Sequence, residues 1–599
     1  MGLIGRIGSD YAYLTGVLRA ISKISKVAKN PGRTYPQVVR DLAATHGDNV
    51  ALVSERESLT YRAYDRRGDQ YARWAMTHGL RKGDVVALMM PNRPEYLAAW
   101  LGISRAGGVI ALLNTNLTGS ALAHCVNIVR PQHIIVDAQL LESFRTALPH
   151  ISAGPQLWCH GAEHEGYERL DTKLDRLPDA PIPDADLPRL TIEDKCLYVY
   201  TSGTTGLPKA ANINHYRVQG IMFGFSGAMN LKRSDRVYVC LPMYHTSGGV
   251  LGPCSALTAG ATAVLRERFS TTHFWDDIVA NECTVFIYIG ELCRYLLNSP
   301  PHPAETKHRV RIACGNGLRP DIWAAFQTRF RIPKVLEWYA ATEGNCVFFN
   351  FDGKVGAVGR IPKWLESKFF VEIVRFDVEK EEPVRGPDGF CVKCAPGEVG
   401  EAISKIINDP KRPSQRFEGY ADPGATERKI LRDAFETGDR WFRTGDLMRK
   451  DADGYYYFVD RIGDTFRWKG ENVATSEVQE AISEFPGVDH ANVYGVRVPG
   501  AEGRVGMAAL VVKPGVDLDD FARHVVARLA GYARPVFLRM VPETDTTSTF
   551  KQRKLDLGRE GFDPGVVSDP LYLLHPELQS YVRLDTAIYR DICEGKVRL

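Results

Sequence analysis

The chain has 599 residues, of which 44% are hydrophobic and 25% charged, with a formal net charge of +3. That length exceeds a single ordinary core and predicts two or three domains. So small a net charge argues neither for nor against nucleic acid, and no nucleic-acid partner is expected. The 12 cysteines are scattered, which excludes a disulfide scaffold and points to reduced thiols in the cytoplasm. Cys391-Val-Lys-Cys394 has CxxC spacing but no second pair of zinc ligands at a suitable distance. No apolar run is long enough for a transmembrane helix.

Residues 1–34 form a basic amphipathic segment. Arg6, Arg19, Lys23, Lys26, Lys29 and Arg33 stand against one acid, Asp10, while Leu14, Val17, Leu18, Ile21 and Ile24 recur at helical spacing. Such a segment is suited either to lie on the inner face of the cell membrane as a peripheral anchor or to pack on the following domain. From Tyr35 onward the pattern is α/β. Helices are predicted over Pro36–Ala44, Thr60–His78 (Thr60 as its cap, Gly79 as its stop) and Pro94–Arg105. Strands are predicted over Val50–Val53, Asp84–Met90, Gly108–Leu113, Leu197–Tyr200, Val237–Cys240 and Val285–Tyr288. Apolar strands alternating with helices imply mostly parallel sheets covered by helices. The proline-rich stretch Leu177–Pro188 reads as a surface connection, and the charged stretch Asp377–Pro396 as an excursion between strands. After Asp460 a fresh α/β unit opens, with helix Glu477–Glu484 and strand Ala491–Val496. The expected division is therefore a large domain over 35–460 and a smaller one over 461–599.

The most informative stretch follows Tyr200: Thr201-Ser202-Gly203-Thr204-Thr205-Gly206-Leu207-Pro208-Lys209. Backbone N–H groups and hydroxyls of such a loop can face a polyphosphate, glycine permits close approach, and lysine supplies charge. Pro208 stands where a Walker A loop has glycine, so this is a different phosphate loop. It resembles the signature of the adenylate-forming superfamily, which includes acyl-CoA synthetases and the adenylation domains of peptide synthetases. Tyr339-Ala-Ala-Thr342-Glu343, Thr444-Gly445-Asp446, Asp460-Arg461 and Lys469-Gly470-Glu471-Asn472 are similar to its further motifs, in the same order.

The resemblance implies that the substrates ATP and coenzyme A are used together with Mg²⁺. Glu343 would hold the metal, a hard cation suited to carboxylate oxygen. Thr342, Thr204 and Thr205 would contact phosphate, and Lys209 would supply charge. Gly315-Asn316-Gly317, Trp338 and Tyr339 would line the adenine pocket, Asp446 would hold the ribose, and Arg461 would support ribose or phosphate. Lys551 would be the catalytic lysine of the C-terminal domain, although Phe550 precedes it where relatives have glycine. The Gly470 strand would meet the pantetheine of the thiol after the smaller domain rotates, with Gly463 at the hinge.

Two longer runs, Tyr288–Asn298 and Asp460–Val473, resemble the fatty-acid transport protein and very-long-chain acyl-CoA synthetase branch, as does Thr549-Phe550-Lys551. The resemblance implies a long or very-long-chain fatty acid, with Tyr288, Gly290 and His245 at its pocket. Gly248, Gly249 and Gly252 after His245 are expected to leave room for the chain. Three alternatives stay open: an adenylation domain of a peptide synthetase, disfavoured because no carrier module follows; an acyl-AMP ligase serving a separate carrier; and a lipid-uptake protein acting by metabolic trapping. Oligomeric state and chain-length preference are not written in the sequence.

Overall fold

In the computed structural model of the protein, the described residues are 3–152, 154–201, 207–378, 380–409, 412–469, 471–499, 503–542, 554–597 and 599. The chain packs as two compact units. The first comprises Met1–Trp364, Lys405–Arg432 and Arg440–Phe442; the second comprises Leu365–Ser404, Asp433–Asp439 and Arg443–Leu599.

Among the described residues the first unit holds two large sheets. One has eight strands, in the order Val347–Asn350, Val335–Ala340, Ile312–Asn316, Val285–Ile289, Arg236–Val239, Thr262–Leu265, Val50–Val53, Ser58–Thr60. All neighbours are parallel except the two edge strands. The other has seven strands, parallel apart from the hairpin Lys195–Thr201/Lys209–Asn214 at one edge. The central strands are buried nearly throughout, as continuous Val/Ile/Leu runs covered on both faces must be. Helix Pro94–Arg105 is buried along its whole length. Thr60 caps helix Tyr61–Thr77, its side chain accepting from the Ala63 N–H.

Helix Leu3–Ala28 packs on helix His215–Ala228. A Cβ at Gly227 would lie 2.6 Å from the Arg19 carbonyl oxygen and 2.7 Å from the Ala20 Cα, so glycine is what lets the two backbones meet. Lys23 Nζ donates to Ser226 Oγ (2.9 Å), Arg19 Nε to the Gly227 carbonyl (3.3 Å), and Asp10 pairs with Arg360 (2.7 Å). The packed reading of the N-terminal segment is thus realised over one face of the helix.

Strand Arg440–Lys450, which belongs to the second unit from Arg443 onward, pairs antiparallel with Tyr455–Arg461, with Asp446 opposite Arg461. Beyond them the described residues form a five-stranded sheet, Val488–Val496, Val505–Val512, Phe537–Met540, Leu571–Leu574, Tyr581–Arg583, with helices Thr475–Ser483 and Leu518–Arg528. Its core is continuous from Phe466 to Ile592.

Candidate active site

Several parallel strands of the first unit end at one edge, and open α/β sheets bind ligands outside the carboxyl ends of their strands. Strand Val285–Ile289 aligns Tyr288 with Gly315 and Ile289 with Asn316; the next register aligns Gly315 with Glu337. The strand ends therefore bring the Gly315-Asn316-Gly317 turn beside Trp338 and Tyr339. The turn is set by a side chain that sequence reasoning did not single out. Glu337 is fully buried and accepts from the Tyr288 hydroxyl, the Gly317 N–H and the Leu318 N–H (3.1 Å for the last). Burial pushes its carboxyl up to about 8, against the pull of these three donors. Gly290 and Gly317 approach so closely that a Cβ on Gly290 would lie 1.6 Å from the Gly317 carbonyl oxygen. Tyr288 is itself fully buried, with its hydroxyl committed to Glu337.

The predicted phosphate loop connects two antiparallel strands whose last described pair is Thr201 opposite Lys209. Ser202, Gly203, Thr204, Thr205 and Gly206 lie outside the described residues. At the hairpin mouth, Lys209 Nζ sits 5.9 Å from the centre of the Tyr420 ring, and the Tyr420 hydroxyl donates to Glu343 Oε1 (2.5 Å). Burial raises the Tyr420 pKa well above its ordinary value, and the Glu343 carboxylate adds to the rise. Burial lowers the Lys209 pKa, and Lys429 and Arg428 lower it further. Tyr420 reaches the site because its backbone bridges to Ala211, in the second strand of the hairpin. Thr342 accepts from the Thr246 hydroxyl (3.3 Å). The segment that carries Thr342 and Glu343 is clamped from below by Arg217 on helix His215–Ala228, which donates to the carbonyls of Ala341 (3.0 Å) and Gly344. Trp338 packs edge-on against Phe225, and Tyr339 stacks on Phe348.

Glu343 is the one carboxylate among the predicted site residues of this unit, and its second oxygen, Oε2, is not the one held by Tyr420. That donor set fits Mg²⁺, which takes one or two carboxylates and completes its shell with substrate phosphate and water.

His245 is half-buried, its ring 4.6 Å from that of Tyr244, just before the π-helical turn Ser247–Leu251. The glycines that follow do not open a channel. A Cβ on Gly248 would lie 2.3 Å from the Pro242 carbonyl oxygen, one on Gly249 2.0 Å from that of Met243, and one on Gly252 2.7 Å from Val239. They serve close backbone packing, so the expected room for an acyl chain is filled by the protein's own carbonyls and side chains.

In the second unit, Arg461 Nε lies 3.8 Å from Asp446 Oδ1, and the Asp446 N–H is held by the Thr444 hydroxyl (3.1 Å). Asp460 accepts from the Thr475 N–H (2.6 Å), the Thr475 hydroxyl (2.8 Å) and the Arg461 N–H (2.9 Å). Gly463 takes φ of 93°, and Asp464, its pKa raised by burial, lies 3.8 Å from Lys554. Gly470 and Lys551 lie outside the described residues.

Comparison with known proteins identifies the family and the fold. The family model described as "AMP-binding enzyme" matches residues 39–402, and the "AMP-binding enzyme C-terminal domain" matches 477–551. The chain is 43% identical over 553 residues to long-chain fatty acid transport protein 6 of Mus musculus, covering 92% of this chain and 88% of that one. It is 39% identical over 595 residues to the Homo sapiens protein of the same name, covering 97% and 95%. Among solved structures, the anthranilate CoA ligase AuaEII bound to anthranoyl-AMP aligns with a TM-score of 0.74 at 20% identity, covering 88% of this chain and 98% of that one. A fatty acyl CoA synthetase of Mycobacterium tuberculosis aligns at 0.59 and 22%, with the same coverage. The fold is that of the adenylate-forming enzymes, and the chain belongs to the AMP-binding enzyme family, among the relatives of the long-chain fatty acid transport proteins.

Proposed function

We propose that the protein is an AMP-forming ligase that joins a long or very-long-chain fatty acid to coenzyme A. The chemistry rests above all on one observation: Lys209, Tyr420 and Glu343 meet in series at the mouth of the hairpin that ends in the phosphate loop. The choice of acid rests on the similarity to proteins named for long-chain fatty acids.

In the first half-reaction the fatty carboxylate oxygen bonds to the α-phosphorus of ATP, and the bond from that phosphorus to the bridging oxygen breaks, releasing pyrophosphate. Negative charge shifts onto the leaving oxygens, so catalysis is mainly a matter of positioning and cation placement. Lys209, with the hydroxyls of Thr201, Thr204 and Thr205, holds the polyphosphate. Glu343, oriented by Tyr420, would hold Mg²⁺, which neutralises phosphate charge when bound. Asn316, Gly317, Trp338 and Tyr339 seat the adenine over the Glu337-braced turn; Asp446 and Arg461 receive the ribose. Lys551 supplies the final cation. In the second half-reaction the thiol sulfur of coenzyme A attacks the acyl carbonyl, the carbonyl–phosphate oxygen bond breaks, and AMP leaves. Residues 461–599 would turn about Asp460–Asp464 between the two steps, exchanging Lys551 for the strand at Gly470; the Gly463 conformation supports a pivot there.

The name of the relatives also favours a role in uptake, achieved by trapping: a fatty acid charged with coenzyme A does not diffuse back. No helix among the described residues is long and apolar enough to cross a membrane, and the localisation we favour is cytoplasmic and peripheral, on the inner face of the cell membrane.

The test is a panel of acids from short to very long, incubated with ATP and Mg²⁺, with coenzyme A present or replaced by hydroxylamine. Long-chain acids should yield acyl-CoA with one AMP and one pyrophosphate each. Acyl-hydroxamate without any thioester would overturn coenzyme A as the acceptor, and turnover restricted to short or aromatic acids would overturn the fatty-acid reading.

A further inference from the structure

The N-terminal helix shows large apolar side chains on a face that the first unit does not cover. On the packed face, Tyr13, Gly16, Ala20 and Val27 are buried, and Ile24 lies where Gly224 leaves space. On the other, Ile7, Tyr11, Leu14, Leu18 and Ile21 are exposed by 62, 70, 39, 54 and 51%. These five follow one another in steps of four and three, the spacing that lines residues along one face of a helix. At a rise of about 1.5 Å per residue the row extends about 21 Å. The apolar residues of the segment are thus divided between two faces, and among the described residues only one of these faces is covered.

The charges around the row have one sign. Arg6, Lys26 and Lys29 are exposed, at the two ends of the stripe. The helix's only acid, Asp10, is turned inward to Arg360. A second copy of this chain would bring the same basic helix against the row and supply no acid to balance it. A convex row of aliphatic residues and one tyrosine, ending in lysines, fits a flat, apolar and negatively charged partner instead, which is the interface of a bilayer containing anionic lipid.

We propose that Ile7, Tyr11, Leu14, Leu18 and Ile21 enter the headgroup–acyl boundary of an anionic membrane while the opposite face of the same helix stays docked on helix His215–Ala228. The helix lies in the membrane plane and serves as a rigid foot of the first unit. This rests on the peripheral localisation proposed above and assigns the surface that produces it.

The experiment uses the full chain, co-sedimented with vesicles of phosphatidylcholine alone and of phosphatidylcholine with phosphatidylglycerol. The wild type should bind the second far more tightly. Leu18→Ser with Ile21→Ser should lower its partition coefficient at least tenfold, and Lys26→Gln with Lys29→Gln roughly fivefold per lysine, on the anionic vesicles only. All four side chains are exposed, and circular dichroism with a urea unfolding curve matching the wild type checks that each variant folds. Wild-type binding that both variants retain overturns the assignment of this face while sparing the peripheral localisation. Absence of wild-type binding to either vesicle overturns both. A dimer that the serine variant converts to monomer, with vesicle binding unchanged, identifies a second copy as the occupant and likewise overturns the proposal.

Discussion

Replacing Glu337 by glutamine keeps the outline of a side chain that accepts from Tyr288, Gly317 and Leu318 while removing its ionisable proton. Burial raises the Glu337 pKa from 4.5 to about 8, so the folded state holds that proton more tightly than the unfolded chain does. A carboxyl raised in this direction contributes stability fully below pH 4.5 and loses it as the pH climbs to about 8. Between those limits the wild type should lose about 4 kcal/mol that Glu337→Gln, with no proton to release, keeps. Urea unfolding of both proteins, followed by tryptophan fluorescence on the transition of the unit that contains Trp338, gives the difference at each pH. Taking the difference cancels the other titrating groups. The expected course is near-equal stability around pH 4.5 and a widening advantage for Glu337→Gln toward pH 8. A constant difference across that range would refute the reasoning, because it would mean that three donors outweigh burial and hold Glu337 ionised throughout.

Three further substitutions probe the catalytic groups. Glu343→Gln should slow adenylation about a hundredfold or more and shift the Mg²⁺ titration to higher concentration, measured by pyrophosphate release; an unchanged titration would remove Glu343 from the metal site. Tyr420→Phe, which only frees the carboxylate, should cost on the order of tenfold at saturating Mg²⁺, the worth of one charge-assisted hydrogen bond. Lys551→Ala should abolish acyl-adenylate formation yet spare thioester formation from supplied acyl-adenylate, as followed by acyl-CoA release; equal loss of both steps would assign the lysine another role.

Local patterns in the sequence predicted the scaffold well, and partners remote in the chain account for what they missed. The strand at Val50–Val53 and the helix Pro94–Arg105 begin and end as expected because apolar runs, caps and prolines act within a few residues. Thr342 and Glu343 are recognisable as a motif. Arg217, which fixes their backbone, is not, since its acceptors lie 124 and 127 residues away. Tyr420 is joined to Glu343 across 77 residues by a single hydroxyl. The glycines after His245 illustrate another limit. Composition cannot distinguish a glycine that leaves a void from one that admits a carbonyl, and here the neighbouring backbone occupies the space. Helical periodicity likewise marked the N-terminal segment as amphipathic, but which apolar residues face inward depends on Gly224 and Gly227 in a helix two hundred residues away.

Burial first, and then the neighbouring Lys429 and Arg428, depress the hold of Lys209 on a proton. A concentration of positive charge at the hairpin mouth attracts any polyphosphate, with an affinity that falls as salt rises. It does not distinguish the triphosphate that enters from the diphosphate that leaves. On the proposed reaction, pyrophosphate should therefore be a strong product inhibitor and should drive acyl-adenylate back to ATP. Net flux through the enzyme would then be governed by how quickly the surroundings hydrolyse pyrophosphate, as well as by the supply of fatty acid.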